Sequence, residues 1–190
     1  MKVMIDSQQE QILEPDFNAL DNWWRVSTAQ IYQQQRLIHS VEFDSEVLYS
    51  NYENFLVENM NRVQTVNIRT LTVRESIIDT ENSLKDYLDR FIPEAFKISQ
   101  HFYGDLTEEH WGRFSDFIGG LDWILKALSF ETELYKIDRT NPPGYLLLID
   151  NLSELVAQLG SALENMDLVT VGDLMQYELV PLLQKIQRTE

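Results

Sequence analysis

Three acidic side chains, Glu81, Asp122 and Glu178, fall on helical stretches whose spacing otherwise asks for apolar residues. Glu178 is the clearest of them. It sits inside a stripe of Val171, Leu174, Met175, Leu179, Leu182 and Ile186, close to the line joining Val171 and Leu182. A carboxylate buried alone is costly, so each of the three must find a partner or lose its charge. Facing carboxylates inside a helical bundle can hold metal ions, but the ferritin-like plan needs Glu-x-x-His on two helices. The residues three before His39, His101 and His110 are Arg36, Ile98 and Thr107, so that motif is absent, and so is HExxH. Carboxylates alone would suit a hard ion in a loose cage. The preferred account is that these side chains bond to Tyr, Trp or Arg groups in the core or meet water at the bundle rim. No metal or cofactor is assigned.

Other routes to chemistry are closed by residue type. The chain has no cysteine, hence no thiolate site, no disulfide and no cysteine nucleophile. It has no GxSxG elbow and no GxxxxGK[ST] phosphate loop. His101 and His110 flank the Gly104 turn and are placed to approach one another, with no acid to orient them. His39 reads as a hydrogen-bonded histidine at a core rim. Trp23, Trp24 and Trp111 are candidates for capturing an amphipathic segment of a protein partner, although an adjacent Trp pair more often seals the edge of a core.

The elements that must position these residues are legible from periodicity. Val3 and Ile5 suggest a short edge strand at the start. Pro15-Asp16 opens an amphipathic helix to about Gln35, with Asp16 as N-cap and Phe17, Leu20, Trp24, Ser27 and Ile31 on one face. Residues 36–44 alternate as a strand, with Leu37, His39, Val41 and Phe43 on one side. A helix is expected over Glu46 to Arg62 and a second strand over Thr65 to Leu71. Thr72 and Glu75 have the spacing of a capping box, which begins a long helix to about Tyr103 that Pro93 should kink or break. Thr107 caps a helix running to about Phe130, whose mid-helix Gly119-Gly120 implies close packing. After the loop at residues 140–144, Tyr145 to Asn165 and Thr170 to Arg188 form the last two helices, with Thr170 as a candidate cap.

The totals bound the class. A chain of 190 residues with 44% apolar side chains, 7 Gly and 5 Pro is globular and not low-complexity. Its net charge of −16 is spread along the chain: residues 1–72 hold 5 basic and 10 acidic side chains, the rest 10 and 21. That sign opposes binding to nucleic-acid backbones and anionic membranes, serves solubility, and permits a basic protein partner. There is no signal-like leader, and no stretch is expected to approach the ~20 apolar residues of a membrane span. A soluble, cytoplasmic protein follows.

Three stretches, SLKDYLDRFIPEAFKISQHFYG, FIGGLDWILKAL and ALENMDLVTVGDLMQYELVPLL, resemble in that order segments of an uncharacterised family of proteins from Bacillus-like bacteria. The similarity is expected over roughly residues 36–188. Its most specific block places Asp173, Leu174, Tyr177, Glu178 and Pro181 on the family's Asp-Leu…Tyr-Glu…Pro pattern. The resemblance implies fold and source but no activity. It adds Tyr177 to Glu81, Asp122 and Glu178 as a polar position expected in the interior.

The combined expectation is a predominantly helical α+β protein, with an all-α fold as the alternative. A small α/β portion, residues 1–71, would pack on an antiparallel helical bundle, residues 72–190, possibly as one continuous domain. The function expected first is a non-catalytic adaptor or chaperone-like binder of a protein partner. The second is a bundle that holds a metal or small molecule with buried carboxylates.

Overall fold

The structure, a computed structural model, describes residues 1–14 and 16–189. Pro15, expected to open the first helix, lies outside the described residues. The fold is α+β and predominantly helical, with a five-stranded sheet near the N-terminus. The chain divides into two compact units, Met1–Ser76 and Ile77–Glu190.

In the first unit, β1 (Lys2–Ile5) and β2 (Gln11–Ile12) precede helix α1 (Phe17–Gln33); β3 (Arg36–Phe43), β4 (Glu46–Leu48), helix α2 (Tyr52–Asn59) and β5 (Thr65–Thr72) follow. The sheet order is β2-β1-β5-β3-β4, with β1 parallel to β5 and the other pairings antiparallel. Strand β1 is therefore interior, not the edge strand its short alternation suggests. Asp16 caps α1 as expected, its carboxylate accepting from the Ala19 amide at 3.0 Å. The core joins Leu20, Trp23, Trp24 and Ile31 of α1 to Val3, Val41, Phe43, Val66 and Ile68 of the sheet.

Two expectations fail here for local reasons. A β-bulge between Ile38 and Ser40 makes His39 the extra residue of β3. Ile38, Val41 and Phe43 then stand opposite Thr70, Ile68 and Val66, so the inward series switches from even to odd positions across the bulge. His39 leaves the apolar series and meets the Tyr49 ring edge-on at 5.5 Å. Second, Glu46–Leu48 is a strand and not the start of a helix. Asp44 takes a left-handed φ of 53°, which turns β3 tightly back onto β4. The Asp44 carboxylate also accepts from the Thr65 amide at 2.8 Å and the Gln64 amide at 3.1 Å, tying the turn to the start of β5.

The capping box is present: the Thr72 amide donates to Glu75 Oε2 at 2.7 Å, and the Glu75 amide donates to Thr72 Oγ1 at 3.2 Å. It opens α3 (Val73–His101), which passes through Pro93 without a break. The second unit continues with α4 (Glu108–Asp138), α5 (Tyr145–Glu164), α6 (Leu168–Asp173), a π-helical turn (Leu174–Leu179) and α7 (Val180–Gln187). Contacts at the helix ends fix an up-down arrangement. His101 near the end of α3 stacks on His110 at the start of α4, their rings 4.0 Å apart. Tyr135 near the end of α4 meets Tyr145 at the start of α5 at 6.0 Å. Short loops impose such antiparallel neighbours.

One contiguous core runs through all these helices, centred on Leu88, Ile124, Leu128, Leu152, Leu159, Met175 and Leu183. A Cβ on Gly120 would collide with the Phe91 ring and the Tyr87 hydroxyl, so that glycine lets α3 and α4 close together. Helix α5 corrects the view that no stretch reaches a membrane-spanning composition: an 18-residue window of this 20-residue helix averages a hydropathy of 1.3. Its apolar length serves the bundle, with Tyr145, Leu148, Leu152, Leu155 and Leu159 buried.

Candidate functional site

Helix α4 carries an unbroken inward series, Phe117, Leu121, Ile124, Leu128, Glu131 and Tyr135, at alternating spacings of four and three. The fifth member is a carboxylic acid. Glu131 is 0% exposed, and neither carboxylate oxygen accepts a hydrogen bond of ordinary geometry. One turn further on, the Tyr135 hydroxyl donates to Glu81 Oε1 of α3 at 2.7 Å. The Tyr145 hydroxyl, from the first turn of α5, donates to the same oxygen at 3.4 Å and lies against Glu131. Two acids and two phenols from three helices thus converge at one end of the bundle.

Burial dominates the electrostatics. Removal from water pushes the Glu131 carboxyl up to about 7; the Tyr145 hydroxyl opposes this, and the Glu81 charge adds to it. Tyr135 is pushed up to about 12, first by burial, then by its hydrogen bond to Glu81 and the nearby carboxylates. Tyr145 is raised as well, by burial and then by the Glu131 and Glu81 charges. Both phenols therefore keep their protons and act as donors, while Glu131 exchanges its proton near neutrality. Beside the cluster lies a cavity of about 280 Å³, walled by Glu81, Leu84, Leu88, Tyr135, Tyr145 and Ile186, with Asn82, Lys85, Gln187 and Thr189 also lining it.

Of the polar positions expected in the interior, the structure places Glu81 in this cluster and corrects the other three. Asp122 is exposed and ion-paired with Lys126 one turn away at 2.6 Å. Glu178 and Tyr177 are also exposed, Tyr177 by 64%. The π-helical turn is the cause. It inserts one extra residue per turn, so the buried line runs Val171, Met175, Leu179, Leu183 at steps of four, and Glu178 swings outward. Thr170 is not the cap of this segment; Asp167 is, accepting from the Thr170 amide at 3.1 Å. Among the described residues, no three His, Asp or Glu side chains are grouped to hold a metal ion. Glu131 is readable in the α4 series, but ending that helix at Phe130 excludes it.

The tryptophans separate. Trp23 and Trp24 are 8% and 7% exposed and belong to the first unit's core, so the pair does not form an open patch. Trp24 donates from Nε1 to Glu53 at 2.7 Å and edges a groove of about 330 Å³ between α1 and α2. Trp111 is 39% exposed and packs edge-on against Phe102 and Phe114. At the opposite end of the bundle from Glu131, the Tyr103 hydroxyl donates to Asp173 at 2.6 Å. A Cβ on Gly172 would lie 3.0 Å from the Tyr103 ring, which explains a glycine directly before that aspartate.

No curated protein and no solved structure matches the chain. The resemblance expected over residues 36–188 holds for the bundle alone. Residues 79–189, more than half of the chain and all within the second unit, match the family described as a domain of unknown function, DUF8042, and the chain belongs to that family.

Proposed function

We propose that this chain is a cytoplasmic bacterial interaction protein that works by binding a protein partner and not by catalysis. The observation that carries the reading is a row of large apolar side chains on the outer side of α4. Trp123, Phe130 and Ile137 recur every seven residues and are 40%, 50% and 57% exposed. Seven residues are nearly two full helical turns, so the three side chains form one line along the helix. Single exposed apolar residues are ordinary; an aligned row with two aromatic members is the surface that protein partners cover. Trp111, at the start of the same helix, adds a further exposed aromatic.

Residues 77–190 hold 9 basic and 20 acidic side chains, net −11. That charge favours a basic partner segment, repels nucleic acid, and makes capture salt-sensitive. The partner element that suits the row is a basic amphipathic helix, which supplies apolar anchors at matching spacing. Affinity capture on the tagged chain at low and moderate salt, read by mass spectrometry, tests this. A basic partner recovered by the wild type and lost from a Phe130→Ser/Ile137→Ser variant with an unchanged circular dichroism spectrum is the expected result. Equal capture by both chains sinks the reading.

A further inference from the structure

Glu131 makes no sense as a purely structural residue. Its neighbours in the α4 series are Leu128 and Tyr135, and leucine there would remove the cost of burying an acid. The carboxyl has no exposure and accepts no hydrogen bond of ordinary geometry, and the donor that lies against it, Tyr145, is shared with Glu81. Native interiors rarely leave such a group without good hydrogen bonds, so an acid buried this way points to a role beyond packing. The cavity beside it supplies the room: Tyr145 and Glu81 line that cavity, and Glu131 lies one phenol hydroxyl behind its wall.

We propose that this cavity binds a small organic cation, a primary ammonium group on a short apolar body, whose charge is balanced by Glu81 at the wall and Glu131 behind it. One carboxylate on the wall, Glu81, and a second behind it, Glu131, outweigh the one flexible lysine of the lining, Lys85, and select against an anion. A divalent metal lacks a third carboxylate or histidine among the described residues. An ammonium needs only what is present: the Glu81 carboxylate as acceptor on the wall, the Glu131 charge behind it, and the phenol oxygens of Tyr135 and Tyr145 beside it. Leu84, Leu88 and Ile186 receive the apolar body. A volume of about 280 Å³ lies at the lower edge of ligand pockets, so the ligand is small. From α7 only uncharged side chains, Ile186 and Gln187, line the cavity, which leaves the flexible Lys85 of α3 as the cationic side chain among its lining residues. Because the cation is held by the ionised acid, its affinity rises as pH passes from about 6 to about 8 and Glu131 loses its proton.

The test uses n-butylammonium against n-butanol, which share shape and differ in charge, on the full chain by titration calorimetry. The ammonium should bind saturably, at least about tenfold more tightly than the alcohol. Glu131→Gln should remove about that tenfold preference while leaving alcohol binding in place, which shows the cavity intact. In the wild type labelled at glutamate side-chain carbons, adding the ammonium at about pH 6.5 should move the Glu131 carboxyl resonance to its ionised position. That readout needs no variant. Absence of saturable ammonium binding, equal binding of the two probes, a preference unchanged in Glu131→Gln, or a Glu131 resonance that does not move would each overturn the proposal.

Discussion

At the residue scale, Glu131 sets how stability responds to pH. Its folded-state carboxyl titrates near 7, against 4.5 for an unburied glutamate. Between these values the folded chain holds a proton that the unfolded chain has released, so stability falls as pH rises through this window. The direction is opposite to that of a salt-bridged acid, whose contribution is lost as pH falls. The loss amounts to at most about 3–4 kcal/mol across the window, since a tenfold difference in proton affinity between the folded and unfolded chains is worth ~1.4 kcal/mol. Glu131→Gln cannot ionise and escapes the loss. Urea midpoints of the two chains should therefore diverge from about pH 5 to about pH 8, with the Gln variant gaining on the wild type. Parallel midpoints would mean that Glu131 titrates as an ordinary surface acid. The periodicity that exposes Glu131 is the same one that misplaces Glu178. A stripe at 3.6 residues per turn is blind to a π-helical turn, because no residue type in LMQYEL announces the wider coil.

At the element scale, helices α1, α3 and α5 are legible in the sequence because long apolar stripes, the Asp16 cap and the Thr72–Glu75 box agree with one another. Strand β4 and the bulge at His39 are not, because a three-residue strand has no measurable period and a bulge reverses the period that is there. The Gly119-Gly120 pair shows what a sequence leaves unresolved even when an element is identified. Both residues are interior to α4 and carry the same helix-propensity penalty. Only Gly120 faces another helix: a Cβ there meets Phe91 and Tyr87, whereas a Cβ on Gly119 meets nothing within 4 Å. Gly119→Ala should stabilise the chain by about 0.5–1 kcal/mol through reduced unfolded-state freedom. Gly120→Ala should destabilise it by about 1–3 kcal/mol by overpacking the α3–α4 contact. Denaturant midpoints of opposite sign are the expected outcome; equal shifts would show that the contact has room to give.

At the scale of the whole molecule, the chain holds two separate hydrophobic clusters, one confined to residues 3–68 and one to residues 84–186. The family match at 79–189 covers the second and none of the first. The residues that could do chemistry, Glu81, Glu131, Tyr135 and Tyr145, all belong to the second cluster's helices. A fragment of residues 72–190 keeps the Thr72–Glu75 cap that closes the first turn of α3 and the whole of the second core. It should fold alone, with a helical circular dichroism spectrum and a single cooperative urea transition. Because burial of Glu131 is created by α4 and its bundle neighbours, the fragment should also preserve the carboxyl's titration near 7. Retaining the helical spectrum while Glu131 falls back to the ordinary glutamate range would mean that the bundle forms but packs loosely around its acid. Loss of the cooperative transition would make the first unit a requirement for the second core. The titration thus separates a bundle that is merely helical from one whose interior is native.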